Sequence, residues 1–280
     1  MGVPVMNAIS GLNATQQQIA ERYEKDGFVV PLDVLNAQEV QALRTELETI
    51  EAEVADDPEL AKLVNSYPDR LIPSFDAIIR HPKIREAVNA VLGPDLMVWS
   101  GALFIKPANS NKIVSWHQDL TYWGLDDAEE VTVWVALSKA DLNAGCMKFV
   151  PGSHKQRIVP HNDTMADDNM LSRGQEVAVD VNEDDAVVAA LDAGQASLHH
   201  GHLFHSSGPN FSDDRRIGMA IRYIKPAMKQ ETGDKSLVAL VSGVDEFGHF
   251  TVADSPKGTL HPDDIAQCKR DADLKSRLLF

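Results

Sequence analysis

Cysteine is nearly absent from this chain. Only Cys146 and Cys268 occur among its 280 residues, too few for a disulfide framework, and both read as free thiols of a reducing compartment. Cations are also scarce, with 26 Lys and Arg against 42 Asp and Glu and a net charge of −16. That balance excludes a broad nucleic-acid surface, because phosphate binding needs clustered Lys and Arg. It excludes a polybasic membrane face for the same reason. A small anionic ligand is not excluded, since one buried Arg decides that locally. No apolar run approaches the roughly 18 residues of a membrane helix. Residues 1–10 have neither a basic n-region nor an apolar h-region, so no signal peptide is expected and the expected location is cytoplasmic. The expected partner is a small-molecule substrate, with a homo-oligomer left open. No repeat and no low-complexity linker interrupts the sequence, which suits one domain of 280 residues.

What is present divides by periodicity. Residues 1–94 read as a mainly helical lead-in. Thr15 can cap a helix over 16–25 that Gly27 closes, and residues 28–31 form a short strand. After Asn36, Val40, Leu43, Leu47 and Ile50 recur at helical spacing. Shorter helical pieces follow at 58–64, 75–80 and 82–92. Residues 95–226 change to period two. Val131, Val133, Val135 and Leu137 fall on one face of a strand, with Thr132, Trp134 and Ala136 on the other. Further strands are read at 146–150 and 216–224, and 186–191 with 195–200 read as a hairpin around the turn at 192–194. Residues 161–174 are polar and irregular, a loop over the mouth of a barrel. The tail, 227–280, is a C-terminal extension closed by a helix over 262–278. Many short strands with turn signals point to a double-sheet jelly roll or barrel.

The histidines concentrate in the β region. Trp116-His117-Gln118-Asp119 places His117 and Asp119 at i and i+2, on one face if the backbone is extended. One more His on a neighbouring strand would complete a 2-His-1-carboxylate triad, the geometry that suits non-haem iron. A His-x-Asp pair alone is common on ordinary surfaces. A second pattern strengthens it: His205-Ser206-Ser207-Gly208-Pro209-Asn210 is followed by Arg216, eleven residues after the His. On a strand beginning at Arg216, Arg216, Gly218 and Ala220 share one face, leaving room beside a guanidinium. Ile217, Met219, Ile221 and Tyr223 share the other and pack a core.

These motifs, with Trp134-Val135-Ala136-Leu137 and the stretch from Asn143 to His154, resemble the phytanoyl-CoA dioxygenase family of Fe(II)- and 2-oxoglutarate-dependent oxygenases. The resemblance spans about residues 18–225, and the 88-residue separation of His117 and His205 is similar to the family's. It implies a mainly β fold: a double-stranded β-helix (jelly-roll, cupin-like) core with flanking N-terminal helices and a C-terminal helix. It implies that His117, Asp119 and His205 hold Fe(II). Arg216 would pair with the distal carboxylate of 2-oxoglutarate, assisted by the Ser207 hydroxyl. Trp134 matches a position lining the co-substrate site, though a core aromatic would also sit there. O₂ is the other co-substrate, and CO₂ and succinate are the co-products of C–H hydroxylation. His199, His200 and His202 do not match the ligand position. Halogenating relatives replace the carboxylate by a small residue, so Asp119 favours hydroxylation.

The substrate is less legible. Tyr122 and Trp123 follow the His-x-Asp closely and either face a substrate at the iron mouth or simply pack. Lys106 and Arg222 are the few cations of the β region that one anionic substrate group can meet. Arg222 shares the face of Arg216, roughly 20 Å farther along the strand. Residues 116–125 and the chain length look most like bacterial members that hydroxylate 2-aminoethylphosphonate or 2-(trimethylammonio)ethylphosphonate at the carbon bearing phosphorus. An acyl-CoA fits an acidic chain worse; another small metabolite or an amino acid stays open. A non-catalytic jelly-roll binding or sensing module is the reading from a different class, and the complete set His117, Asp119, His205 and Arg216 argues against it. Asp119→Ala is expected to abolish hydroxylation, and full retained activity in a turnover assay would remove Asp119 from the ligand set.

Overall fold

The computed structural model describes residues 15–171 and 173–278, so the reading of residues 1–10 lies outside it. Capping sets the first helices. Thr15 and Asn36 each accept a first-turn N–H through the side chain and donate their own backbone N–H to the N3 side chain, closing capping boxes on α1 (Gln16–Asp26) and α2 (Ala37–Glu53). Strand β1 (Phe28–Asp33) lies between them. Then α3 (Pro58–Ser66), α4 (Pro68–Leu71), α5 (Pro73–Ile79) and α6 (Pro82–Leu92) each open on a proline, where its missing N–H leaves no helical bond unmade. Their apolar faces, including Leu47, Leu71, Phe75, Ile79 and Val88, are buried against the sheet residues Val131, Val133, Ile217 and Ile221.

The strands follow: β2 (Leu96–Lys106), β3 (Val114–His117), β4 (Glu130–Ala136), β5 (Met147–Phe149), β6 (His161–Asp163), β7 (Gln175–Val177), β8 (Val187–Ala189), β9 (Gln195–His199), β10 (His205–Ser207), β11 (Arg216–Ile224), β12 (Leu237–Ser242) and β13 (Thr251–Val252). The chain closes with α7 (Pro262–Leu278). A seven-stranded sheet runs β1-β9-β4-β11-β2-β12-β13, and a four-stranded sheet runs β3-β10-β5-β8. This is the jelly-roll of two facing sheets. One face of the large sheet packs under the helices. The other, with Trp134, Ala136 and Ala220, meets Met147 and Phe149 of the small sheet.

Three expectations need correction. Residues 186–191 and 195–200 do not form a hairpin: β8 pairs with β5, whereas both edges of β9 are taken by β1 and β4. The turn at 192–194 is instead a corner between the sheets, pinned where Gly194 N–H donates to Ala136 O and its carbonyl accepts from Val34 and Leu35. The polar stretch 161–174 is not loop throughout, since its first residues form β6, which pairs with β7 just beyond its end. The tail contributes β12 to the large sheet beside β2. Its run Leu237-Val238-Ala239-Leu240-Val241 lacks alternation because Ala239 and Val241 join the helix-side core while Val238 packs with Trp99 and Ile224 on the opposite side. No helix among the described residues is long and apolar enough to cross a membrane.

Asp271 ties α7 to this sheet. Its carboxylate accepts from Tyr67 Oη at 2.9 Å and from Leu237 N at 2.6 Å, and pairs with Lys275 Nζ at 2.9 Å. Lys275 is buried over the rings of Trp99 and Tyr67. Asp271→Ala strands that ammonium, so a loss of about 3–5 kcal/mol in urea unfolding is expected; a change below about 1 kcal/mol would show that the pair carries little of the docking.

Candidate active site

The register of the large sheet draws the floor of the site. Arg222 of β11 lies opposite Thr132 of β4, which lies opposite His199 of β9. Two residues along, Ala220, Trp134 and Ser197 form the next row. At the far end Arg216 lies opposite Lys106 of β2. Above this floor, His205 of β10 sits directly across from His117 of β3. Between the sheets is a cavity lined by the triad and by both arginines.

His117 ends β3, and Asp119 begins a 3-10 turn over Asp119–Tyr122 rather than continuing the strand. Gln118 between them is extended, so the two side chains still converge. The fully buried Gln118 fixes this turn. Its amide N–H groups donate to Arg157 O at 2.5 Å and His202 O at 2.7 Å, and its Oε1 accepts from Val159 N at 2.8 Å.

The ligand atoms of His117, Asp119 and His205 lie within 4.8 Å of one another. His117 Nδ1 donates to Ser115 O and His205 Nδ1 to Leu203 O, both at 2.9 Å. A carbonyl only accepts, so each Nδ1 carries the hydrogen and each Nε2 is left to face the site. Those Nε2 atoms lie 3.3 and 3.9 Å from Asp119 Oδ1. Burial, and then His117 beside it, hold His205 well below the ordinary imidazole range, so its Nε2 is a bare lone pair. Burial alone would push the Asp119 carboxyl up, but the groups packed around it, the Arg222 charge among them, hold it well below its ordinary range. The His117 and His205 rings are only 4.0 Å apart. Lone pairs and a carboxylate aimed at one point fit a divalent cation. Two imidazoles with one carboxylate are a donor set suited to Fe(II).

Arg216 is almost fully buried, with its guanidinium 5.3 Å from the Trp134 ring. It donates once, to Gly145 O at 2.7 Å, and its Nε has no partner. Burial pulls it down to about 10, so it remains a cation without a carboxylate of its own. The room expected above Gly218 is filled by Trp134, because a Cβ there would lie 1.8 Å from the indole. Trp134 thus walls the cavity and supports Arg216 together.

Ser207 lines the cavity, and Lys106 lies behind it. Lys106 Nζ donates to Ser207 Oγ at 2.7 Å, Ser207 O at 3.3 Å and Gly208 O at 2.5 Å. All three donors are spent, so the expectation that Lys106 meets a substrate anion is corrected. Because Ser207 Oγ accepts from Lys106, its own hydrogen is free for a ligand. Tyr122 packs edge-on against His161, with ring centroids 5.5 Å apart. Trp123 is buried against Trp99, and neither residue lines the cavity. Arg222 does line it.

Sequence reasoning missed His199 and Thr132. His199 Nε2 lies 3.7 Å from Asp119 Oδ2, and Thr132 Oγ1 lies 3.5 Å from the same oxygen. His200, by contrast, turns away toward Tyr23 and His154. Only the β4–β9 pairing separates the two adjacent histidines.

Comparison with known proteins agrees with this geometry. The probable alpha-ketoglutarate-dependent hypophosphite dioxygenase of Stutzerimonas stutzeri is 28% identical over 159 residues, 56% of this chain and 54% of that protein. The chain therefore spans about half the length of that curated relative. The apo structure of the non-heme monooxygenase ThoJ superposes with a TM-score of 0.85 at 36% identity, covering 93% of this chain and 97% of that one. Its nickel complex gives a TM-score of 0.78 at 33% identity, covering 93% and 98%. The family profile described as Phytanoyl-CoA dioxygenase (PhyH) matches residues 23–218, and the chain belongs to that family.

Proposed function

We propose that the chain is an Fe(II)- and 2-oxoglutarate-dependent dioxygenase that hydroxylates a C–H bond of a small substrate. The observation that carries this reading is the convergence of two imidazole Nε2 atoms on Asp119 while both Nδ1 atoms are tied to backbone carbonyls. His117, Asp119 and His205 hold the iron. When bound, Fe(II) supplies O₂ activation coupled to decarboxylation of 2-oxoglutarate to succinate and CO₂. Arg216 binds the distal carboxylate of 2-oxoglutarate through its unspent N–H groups, and Ser207 adds a hydroxyl. Trp134 holds the guanidinium plane. His199 and Thr132 flank Asp119 Oδ2 and orient the carboxylate. The apolar walls Phe104, Val114 and Met147 keep water from the reacting centre.

The finer reading is an organophosphonate hydroxylase acting at C1 of 2-aminoethylphosphonate or 2-(trimethylammonio)ethylphosphonate. It is supported by residues 116–125 and by the phosphorus oxyanion in the name of the Stutzerimonas relative. The amino form fits better than the trimethylated one, because Arg222 already lies over the Phe104 ring at the cavity wall that a quaternary ammonium would use.

Anaerobic addition of Fe(II) and 2-oxoglutarate is expected to give a weak visible charge-transfer band. Its absence favours a binding module over an oxygenase. Succinate formation is then expected to accelerate with the phosphonates in a panel that includes free amino acids and an acyl-CoA. Acceleration by other members alone would discard the phosphonate assignment and leave the oxygenase.

A further inference from the structure

We propose that Arg222 is the seat of an oxyanion on the substrate, so that the substrate is a small anion held beside Asp119 at the opposite end of the cavity from Arg216. This rests on reading the triad as an iron centre, and it specifies what that centre acts on.

Five cations are buried among the described residues: Arg70, Lys106, Arg216, Arg222 and Lys275. Arg70 pairs with Asp69, and Lys275 with Asp271. Lys106 spends its three donors on Ser207 and Gly208. Arg216 has Gly145 O and, by the reading above, 2-oxoglutarate. Arg222 is 9% exposed and forms no hydrogen bond or ion pair with a described residue, and its Nε is buried without a partner. A guanidinium withdrawn from water with no acceptor is costly unless a ligand supplies one.

The setting is a built one. The guanidinium lies 5.7 Å from the Phe104 ring and 5.3 Å from the Trp123 ring, which fix its plane at the cavity wall. Its neighbours across the sheet are Thr132 and then His199, whose Nδ1 is also buried without a partner. The acidic groups facing Arg222 are Asp119 and Glu130. Asp119 is committed to the triad. Glu130 Oε1 accepts the Gly201 N–H, and burial, with Asp119 nearby, holds the Glu130 carboxyl well above its ordinary range. With Asp119 committed to the dication and Arg216 to 2-oxoglutarate, Arg222 is the buried cation at the cavity wall that has no acceptor among the described residues. One negative group on the substrate supplies that acceptor. A carboxylate and a phosphonate both offer the bidentate oxygen pair that a guanidinium matches.

The test uses the full chain with Fe(II) and 2-oxoglutarate under anaerobic conditions. Methylphosphonate, 2-aminoethylphosphonate, 3-aminopropanoate and neutral 2-aminoethanol are titrated by calorimetry, with the charge-transfer band followed in parallel. At least one oxyanion probe is expected to bind and perturb the band, and the alcohol to bind about 100-fold more weakly or not at all. The phosphonate and carboxylate arms decide which head group is preferred. Arg222→Leu is expected to weaken the oxyanion by about 30-fold or more, and Arg222→Lys by less. If Arg222→Leu does not fold, the Arg222→Lys titration and the charged-against-neutral comparison on the unaltered chain decide. Equal binding of charged and neutral probes, or equal binding to the variants, overturns the proposal. A band with no oxyanion binding overturns it alone, whereas no band at all removes the iron-centre reading and this proposal with it.

Discussion

His117 and His205 face each other across two antiparallel strands, each with its Nδ1 hydrogen already given to the carbonyl two residues back. Their remaining nitrogens and Asp119 Oδ1 then meet at one point with too few protons to share. That unresolved concentration of electron pairs is the constraint around which the fold is organised. It is maintained by the groups packed around it. Gln118, buried and fully bonded, holds the turn between two of the three residues. The cross-strand row of Arg222, Thr132 and His199 brackets the outer side of Asp119.

The two sheets divide the labour. The small sheet carries both histidines, and the large one carries both arginines. The helices cover the opposite face of the large sheet, where Ile217, Met219, Ile221 and Tyr223 are buried. Alternation along β11 therefore does two things at once: one face anchors the domain, and the other aims Arg216 and Arg222 into the same cavity. The net charge of −16 describes the exterior, while the cavity floor is cationic.

Much of this was readable because it depends on periodicity and caps. The bounds of β11 and α6 follow from patterns that local physics enforces. The same alternation brought Arg216 and Arg222 to one face. Other features were hidden for specific reasons. β12 is apolar on both faces and so shows no period. β8 and β9 look like a hairpin, yet both edges of β9 are occupied by strands distant in sequence. Lys106 lies opposite Arg216, but spacing does not reveal that Ser207 and Gly208 exhaust its donors. His199 and His200 are adjacent, and only tertiary pairing tells which one looks inward.

The central claim is that the triad requires a cation, and metal-dependent stability tests it most directly. Thermal unfolding followed during anaerobic Fe(II) titration, with Ni(II) in parallel, should rise to a plateau at one metal per chain. A chain carrying His117→Ala and His205→Ala together should lose that rise. No stoichiometric stabilisation of the unaltered chain, or an equal rise in the double variant, would contradict the account.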